Sequence, residues 1–316
     1  MNIRYFIRII RPVNLLIILF TQYMVRFAFL YPVYKISGFP LQLNEGVFAV
    51  FALAFVCMAA GGYIINDYYD VEIDKVNKPG KVIIGQYIKP SSAYNAYWIL
   101  SLAGLAMGAW ASHKAGLNSL SAVFIFYMAG LWFYSTTFKY MFVAGNLFVA
   151  VFLALVPLTS GIIELYADIK NPAFAMHGLS LKTNFYWLAG ISLFAFLSAF
   201  SREIVKDIED MQGDKAAGCR TLPVVLGKKA AVRSAQALLV IMFLLLAILQ
   251  YRQWSGHNFI AFTYFSGFIQ LPVLFIIFKL NRASVPPDFH KISNRLKILM
   301  VLGMCYFFVF AYQGLY

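Results

Sequence analysis

Nine stretches of this 316-residue chain are apolar over lengths that suit a bilayer, and no other feature restricts the fold as much. They fall near residues 13–34, 47–65, 93–112, 116–135, 141–163, 185–201, 231–250, 257–279 and 296–313. In hydrocarbon each backbone N–H and C=O must find its partner inside the spanning element, so segments of this length predict α-helices. A mean hydropathy of +0.73, with 61% hydrophobic and only 12% charged residues, excludes an ordinary soluble globule. The expected fold class is all-α, a multi-pass membrane protein with about nine transmembrane helices.

The net charge of +13 first raises nucleic acid as a partner. Its distribution argues against that. With the N-terminus assigned to the cytoplasm, twenty Lys and Arg residues fall inside and five outside: Lys35, Lys114, Lys170, Lys182 and Arg252. Arg26 lies within the first span. This is the positive-inside bias of a cell-membrane protein, and it accounts for the basic excess. Residues 1–11 place Arg4, Arg8 and Arg11 on one helical face among isoleucines, which predicts an interfacial amphipathic helix ended by Pro12. Cys57, Cys219 and Cys305 are far apart and form neither a disulfide framework nor a zinc spacing. The four histidines are scattered singly.

Acidic residues are far from evenly spread. Nine of thirteen sit in two clusters, each directly after an apolar stretch. Asp67, Asp70, Glu72 and Asp74 make the first; Glu203, Asp207, Glu209, Asp210 and Asp214 make the second. The pattern D-x-x-D-x-x-x-D-K begins at Asp67 and again at Asp207. On a helix, steps of three and four keep the three aspartates on one face. Carboxylates beside hydrocarbon call for a compensating cation. With Asn66 they supply only hard oxygen donors, the type magnesium prefers, and phosphate oxygens commonly complete its shell. Asn66, Asp67, Asp70 and Asp74 are therefore candidate ligands for one ion, and Asp207, Asp210 and Asp214 for another. Both clusters are expected on the cytoplasmic side.

The repeated motif points to an internal duplication, 47–163 and 185–313, within a single membrane domain spanning 1–316. Each half would open with a helix that delivers an acidic loop. Gly104 and Gly108 form a G-x-x-x-G pair that would let two helices approach closely. Basic residues stand among the acids: Arg202 and Lys206 on the second motif, Lys78 and Arg220 beside the two, and Lys139 in a short connection. Phosphate oxygens not bound to metal need such donors. The 20 Tyr and 31 Phe include Tyr134, placed near this polar centre, where a ring face can support a cation.

At these residues the chain resembles the UbiA superfamily of intramembrane prenyltransferases. The run N-D-x-x-D-x-x-x-D from Asn66 is similar to the family's first aspartate-rich motif, and K-D-I-E-D-x-x-G-D-K from Lys206, followed by Arg220-Thr221-Leu222-Pro223, to its second. R-P-x-N at Arg11 to Asn14, Tyr134-Ser135 with Lys139, and Gly145-Asn146 also stand where the family has them. The resemblance implies nine helices around a central cavity open to lipid, and magnesium-dependent transfer of a prenyl group from its diphosphate to an acceptor. Asp67, Asp70, Asp210 and Lys139 are then the expected catalytic residues. Arg202, Lys206, Lys139, Lys78 and Arg220 would bind the diphosphate, and Asn14 and Tyr134 would face the cavity.

Within the family, R-E-I-V-K-D-I-E-D-M-Q-G-D-K is most similar to the digeranylgeranylglyceryl phosphate synthases, which form an ether on a glycerol phosphate. That implies geranylgeranyl diphosphate as donor, the hydroxyl of geranylgeranylglyceryl phosphate as a lipid-like acceptor, and no nucleic-acid partner. One stretch departs from their pattern: Lys78 to Gly85 keeps its basic character but lacks an arginine and the Pro-Ser pair that they carry. An aromatic acceptor, as in quinone biosynthesis, is the nearest rival. A membrane transporter is the rival of another class, but it needs charge near the midplane, whereas here the acids gather at one face.

Overall fold

The computed structural model describes residues 3–77, 80 and 82–315. Among these the chain is helical nearly throughout and has no strand; a lone bridge between Ile84 and Ile88 closes a turn. We number thirteen helices: α1 (Ile3–Ile9), α2 (Pro12–Ile36), α3 (Glu45–Tyr69), α4 (Val71–Asn77), α5 (Pro90–Ala115), α6 (Asn118–Thr136), α7 (Ala144–Ile169), α8 (Ala173–Met176), α9 (Leu181–Ala216), α10 (Leu222–Leu226), α11 (Lys228–Ser255), α12 (Phe259–Arg282) and α13 (Pro286–Leu315). All nine expected apolar segments lie on helices. Eight of those helices are both long and apolar enough to cross a membrane. The ninth, α5, is 26 residues long but interrupts its apolar run with Ser91, Ser92, Asn95, Ser101 and Ser112.

Two compact units make up the chain: residues 1–139 with 156–188, and residues 140–155 with 189–316. Both α7 and α9 contribute to each.

In the first unit α3 packs along α5, and Gly104 makes the approach possible. A Cβ there would stand 2.9 Å from the Ala54 carbonyl oxygen of α3. Gly108 serves a different neighbour, since its Cβ would overlap the Phe124 ring of α6 at 2.4 Å. The G-x-x-x-G pair therefore seats two partners rather than one. Phe51, Phe55, Phe124 and Tyr127 fill the space between, edge to face except for the tilted Phe55–Phe124 pair, with ring centroids 5.0–5.5 Å apart. The charge inside the first span also finds its reason here. Arg26, only 3% exposed, lies on a π-helical stretch of α2 and pairs with the buried Glu164 of α7. It also donates to the Leu43 carbonyl at 2.9 Å. An unpaired charge at that depth would be strongly unfavourable.

α1 docks on this unit through Ile9, which is buried with Ile64, Ile65, Ile88 and Tyr97, while Arg4 and Arg8 are exposed. The chain turns at Arg11, whose φ of 54° is left-handed, and Pro12 then opens α2 at its first position, where its missing N–H costs nothing.

The second unit is built around α9, with Leu197, Ile204, Val205 and Ile208 packed against Leu239, Met242, Ile276 and Leu296 of α11, α12 and α13. At 36 residues α9 is about 54 Å long, well beyond the ~30 Å of a hydrocarbon core. Its last turns carry the whole second aspartate motif. The expectation of an acidic loop is thereby corrected: those carboxylates ride on a continuous helix.

Candidate active site

The first cluster forms where α3 ends. Asn66 and Asp67 lie in its last turn, and Asp70 is its C-cap, with φ −89° and ψ 0°. Asp74 follows on α4, its N–H bonded to the Asp70 carbonyl at 2.8 Å. The three aspartates thus straddle a break and do not share one uninterrupted helical face. Acids at a helix C-terminus face the negative end of its dipole, so they need cations from elsewhere. Two arrive. Arg11 donates to Asp67 Oδ1 at 2.5 Å, and Lys139, in the short turn after α6, donates to Asp70 Oδ1 at 2.6 Å. Asn66 Nδ2 donates to the other Asp70 oxygen at 2.7 Å. Asn66 Oδ1 is buried with no hydrogen-bond partner.

Arg11 also lies 4.9 Å from the centre of the Tyr63 ring. Burial by itself would lower its pKa. The neighbouring Asp67, Tyr63 and Tyr134 outweigh that and raise it, so the guanidinium stays charged. Tyr134 is therefore within electrostatic reach of this cluster. Asn14 sits half-buried in the first turn of α2, its N–H bonded to the Arg11 carbonyl at 2.9 Å. Glu72 is different: it is 80% exposed and pairs with Lys75 at 2.7 Å as a solvated surface couple. A cleft of about 340 Å³ opens beside the motif, lined by Tyr68, Tyr69, Val71, Glu72, Ile84, Gly85 and Pro90; Asp67 and Asp70 are not part of its wall.

In the second unit Asp207, Asp210 and Asp214 project from α9 at helical spacing, all half-buried. Asp207 accepts from Asn146 Nδ2 of α7 at 2.7 Å, and Asp214 from the Thr221 hydroxyl at 3.3 Å. Arg202 and Lys206 both turn to Glu203, at 2.7 and 2.8 Å, and Glu203 is only 5% exposed. Glu209 meets His290 of α13 at 3.0 Å. Arg220 exposes its side chain and is tied in by its backbone, bonded to the Tyr140 carbonyl at 2.8 Å.

This helical array with two aspartate clusters has counterparts. The profile of the UbiA prenyltransferase family matches residues 33–295. The chain belongs to this family. It is a membrane prenyltransferase. A digeranylgeranylglyceryl phosphate synthase of Ignicoccus hospitalis is 35% identical over 246 residues, which cover 75% of this chain and 73% of the relative. Among solved structures, one of a digeranylgeranylglyceryl phosphate synthase superposes with a TM-score of 0.61 at 22% identity, covering 98% of both chains. A UbiA homologue from Archaeoglobus fulgidus, bound to DMAPP and Mg2+, superposes with a TM-score of 0.57 at 19% identity, covering 96% of this chain and 98% of the other. At these identities the two structures speak for the UbiA fold.

Among the described residues no three His, Cys, Asp or Glu side chains are gathered into a ready-made metal cage. The donors nevertheless fit magnesium. They are all oxygens, few in number, and Asn66 Oδ1 is already buried and unsatisfied. Lys78, expected at the diphosphate, lies outside the described residues. Three residues at the clusters are not assigned by the aspartate spacing: Arg11, Asn146 and Glu203. The first two had a signal, since R-P-x-N and Gly-Asn stand at their family positions. Glu203 had only its place in the second cluster.

Proposed function

We propose that this UbiA enzyme carries out magnesium-dependent transfer of a geranylgeranyl group from its diphosphate to the free hydroxyl of geranylgeranylglyceryl phosphate. The observation that carries the reading is the alternation of hard oxygens and cations around Asn66, Asp67, Asp70, Arg11 and Lys139. Such a set suits a polyphosphate together with its metal, because each phosphate oxygen finds either an ion or an N–H donor. The acceptor assignment draws support from the name of the relative that is 35% identical, and from the second motif.

Asn66, Asp67, Asp70 and Asp74 would hold one magnesium ion, and Asp207, Asp210 and Asp214 another. Bound there, magnesium supplies neutralisation of charge on the departing diphosphate. Lys139 and Arg11 would exchange their carboxylate partners for phosphate oxygens; in the second unit the available donors are Arg202, Lys206 and Arg220. The allylic C1–O bond of the donor breaks, with its electron pair leaving on diphosphate. The acceptor oxygen then bonds to C1, and its proton passes to a carboxylate or to the released diphosphate. Apolar helices and the Tyr134 ring keep water from the cationic carbon. Both clusters face the cytoplasm in this reading, as the twenty-to-five distribution of basic residues implies.

The test is an assay of purified protein with labelled geranylgeranyl diphosphate and a panel of acceptors. Ether formation on geranylgeranylglyceryl phosphate is the expected result. Prenylation of 4-hydroxybenzoate or dihydroxynaphthoate in its place would overturn the acceptor and leave the family activity standing.

A further inference from the structure

Residues 228–297 contain nine Lys and Arg, all but Arg252 in the stretches where α11 begins, α12 ends and α13 begins, and a single acid, Asp288. That acid is spent internally, since its carboxylate caps α13 by accepting from the Ser284 and Val285 N–H groups at 3.0 and 3.3 Å. Positive charge near the end of a span is enough to set topology, but the arrangement here goes further. Phe275 on α12 is 45% exposed and carries two cations on its ring, Lys279 at 5.3 Å and Arg295 of α13 at 5.0 Å. One turn on, Phe278 is 49% exposed and Arg282 lies 4.2 Å from its centre. The same face of α12 exposes Leu271 and Leu274. An exposed apolar strip therefore passes into aromatic rings that hold cations in place, where long basic side chains ordinarily wander. Lys229, Arg233 and Lys291, all exposed, extend the charge around the same helix ends.

We propose that this end of α11, α12 and α13 is a binding collar for anionic membrane phospholipids, with the ring-seated Lys279, Arg282 and Arg295 gripping headgroup phosphates. Charge complementarity selects the occupant: basic residues clustered just beyond an apolar helix face recruit anionic lipid. The acyl chains would lie along Leu271, Leu274 and the two rings. Because His290 near the start of α13 touches Glu209 of the second motif, the collar borders that motif within its own unit.

The full-length protein, reconstituted in phosphatidylcholine vesicles, would be probed with spin-labelled phosphatidylglycerol and spin-labelled phosphatidylcholine. We expect the anionic label to be motionally restricted severalfold in preference, and the preference to collapse in 1 M salt, as Debye screening over about 3 Å requires. The triple variant Lys279→Gln, Arg282→Gln, Arg295→Gln should lose most of it, while Lys279→Arg, Arg282→Lys, Arg295→Lys should retain it. The salt titration on the unaltered protein needs no variant to fold. Equal restriction of the two labels, or a preference that survives both salt and the triple variant, would overturn the collar. So would a triple variant that changes only the oligomeric mass of the protein, which would assign the face to a second copy.

Discussion

The first aspartate cluster straddles a helix break at Asp70, whereas the second rides on the unbroken α9. Their spacing in the sequence is the same, but their surroundings are not. Asp67 and Asp70 are met directly by cations from residues 56 and 69 positions away, Arg11 and Lys139. Asp207 is met by the neutral amide of Asn146, and the nearby cations Arg202 and Lys206 are held one step off by Glu203. The difference teaches that a repeated motif specifies donor atoms without specifying how their charge is balanced. Asp67 and Asp70 stand in the last turn and cap of α3, where the dipole adds to the need for a counter-charge, whereas Asp207 lies well before the end of α9 at Ala216, beyond that reach.

The strongest way to break the comparison is to remove what both clusters are proposed to share. EDTA should abolish turnover, and Asp67→Asn, Asp70→Asn and Asp210→Asn should each lower kcat by at least ~100-fold in the prenyl-transfer assay. If only the first-unit variants were impaired, the second cluster would have no part in the chemistry.

Lys139→Gln sharpens the contrast. Lys139 is only 9% exposed and Asp70 18%, so losing the cation leaves a half-buried carboxylate with the Asn66 amide as its remaining donor and should cost about 2 kcal/mol of stability. Arg11→Gln should cost less, because Arg11 is 39% exposed. Thermal unfolding in detergent, followed for both variants, checks the order; an Arg11 effect larger than that of Lys139 would contradict it.

Asn146→Ala removes a single neutral donor from Asp207 and should cost about 1–2 kcal/mol, or roughly tenfold in activity. The smallest effect is expected at the solvated couple. Lys75→Gln should change stability by less than ~0.5 kcal/mol, since Lys75 and Glu72 are 53% and 80% exposed. A large loss there would mean that Glu72 is engaged by substrate.

Sidedness provides an independent check. In a background lacking Cys57, Cys219 and Cys305, Gly80→Cys and Ala216→Cys should react with an impermeant thiol reagent from the cytoplasmic side, and Lys170→Cys from outside. Labelling of the first two from opposite faces would end any shared role, because ~30 Å of hydrocarbon would then separate the clusters.

The amino-acid sequence by itself determined the all-helical membrane class, because a bilayer admits long apolar segments only as helices. It also determined the donor chemistry: nine acids concentrated in two equally spaced clusters in a chain otherwise poor in acid are legible without coordinates. Where the acids stand was less legible. Hydropathy falls as soon as charges appear, so the stretch beyond residue 201 looked like a loop, although the i, i+4 hydrogen bonds of α9 continue to Ala216. The counter-charges belonged to tertiary structure alone. Nothing local links Arg11 to Asp67, Lys139 to Asp70, Asn146 to Asp207 or Arg26 to Glu164, because each pair is 56 to 138 residues apart and meets only after helices pack. Ion pairing acts over a few ångströms, so the fold had to choose which basic residue each carboxylate would meet.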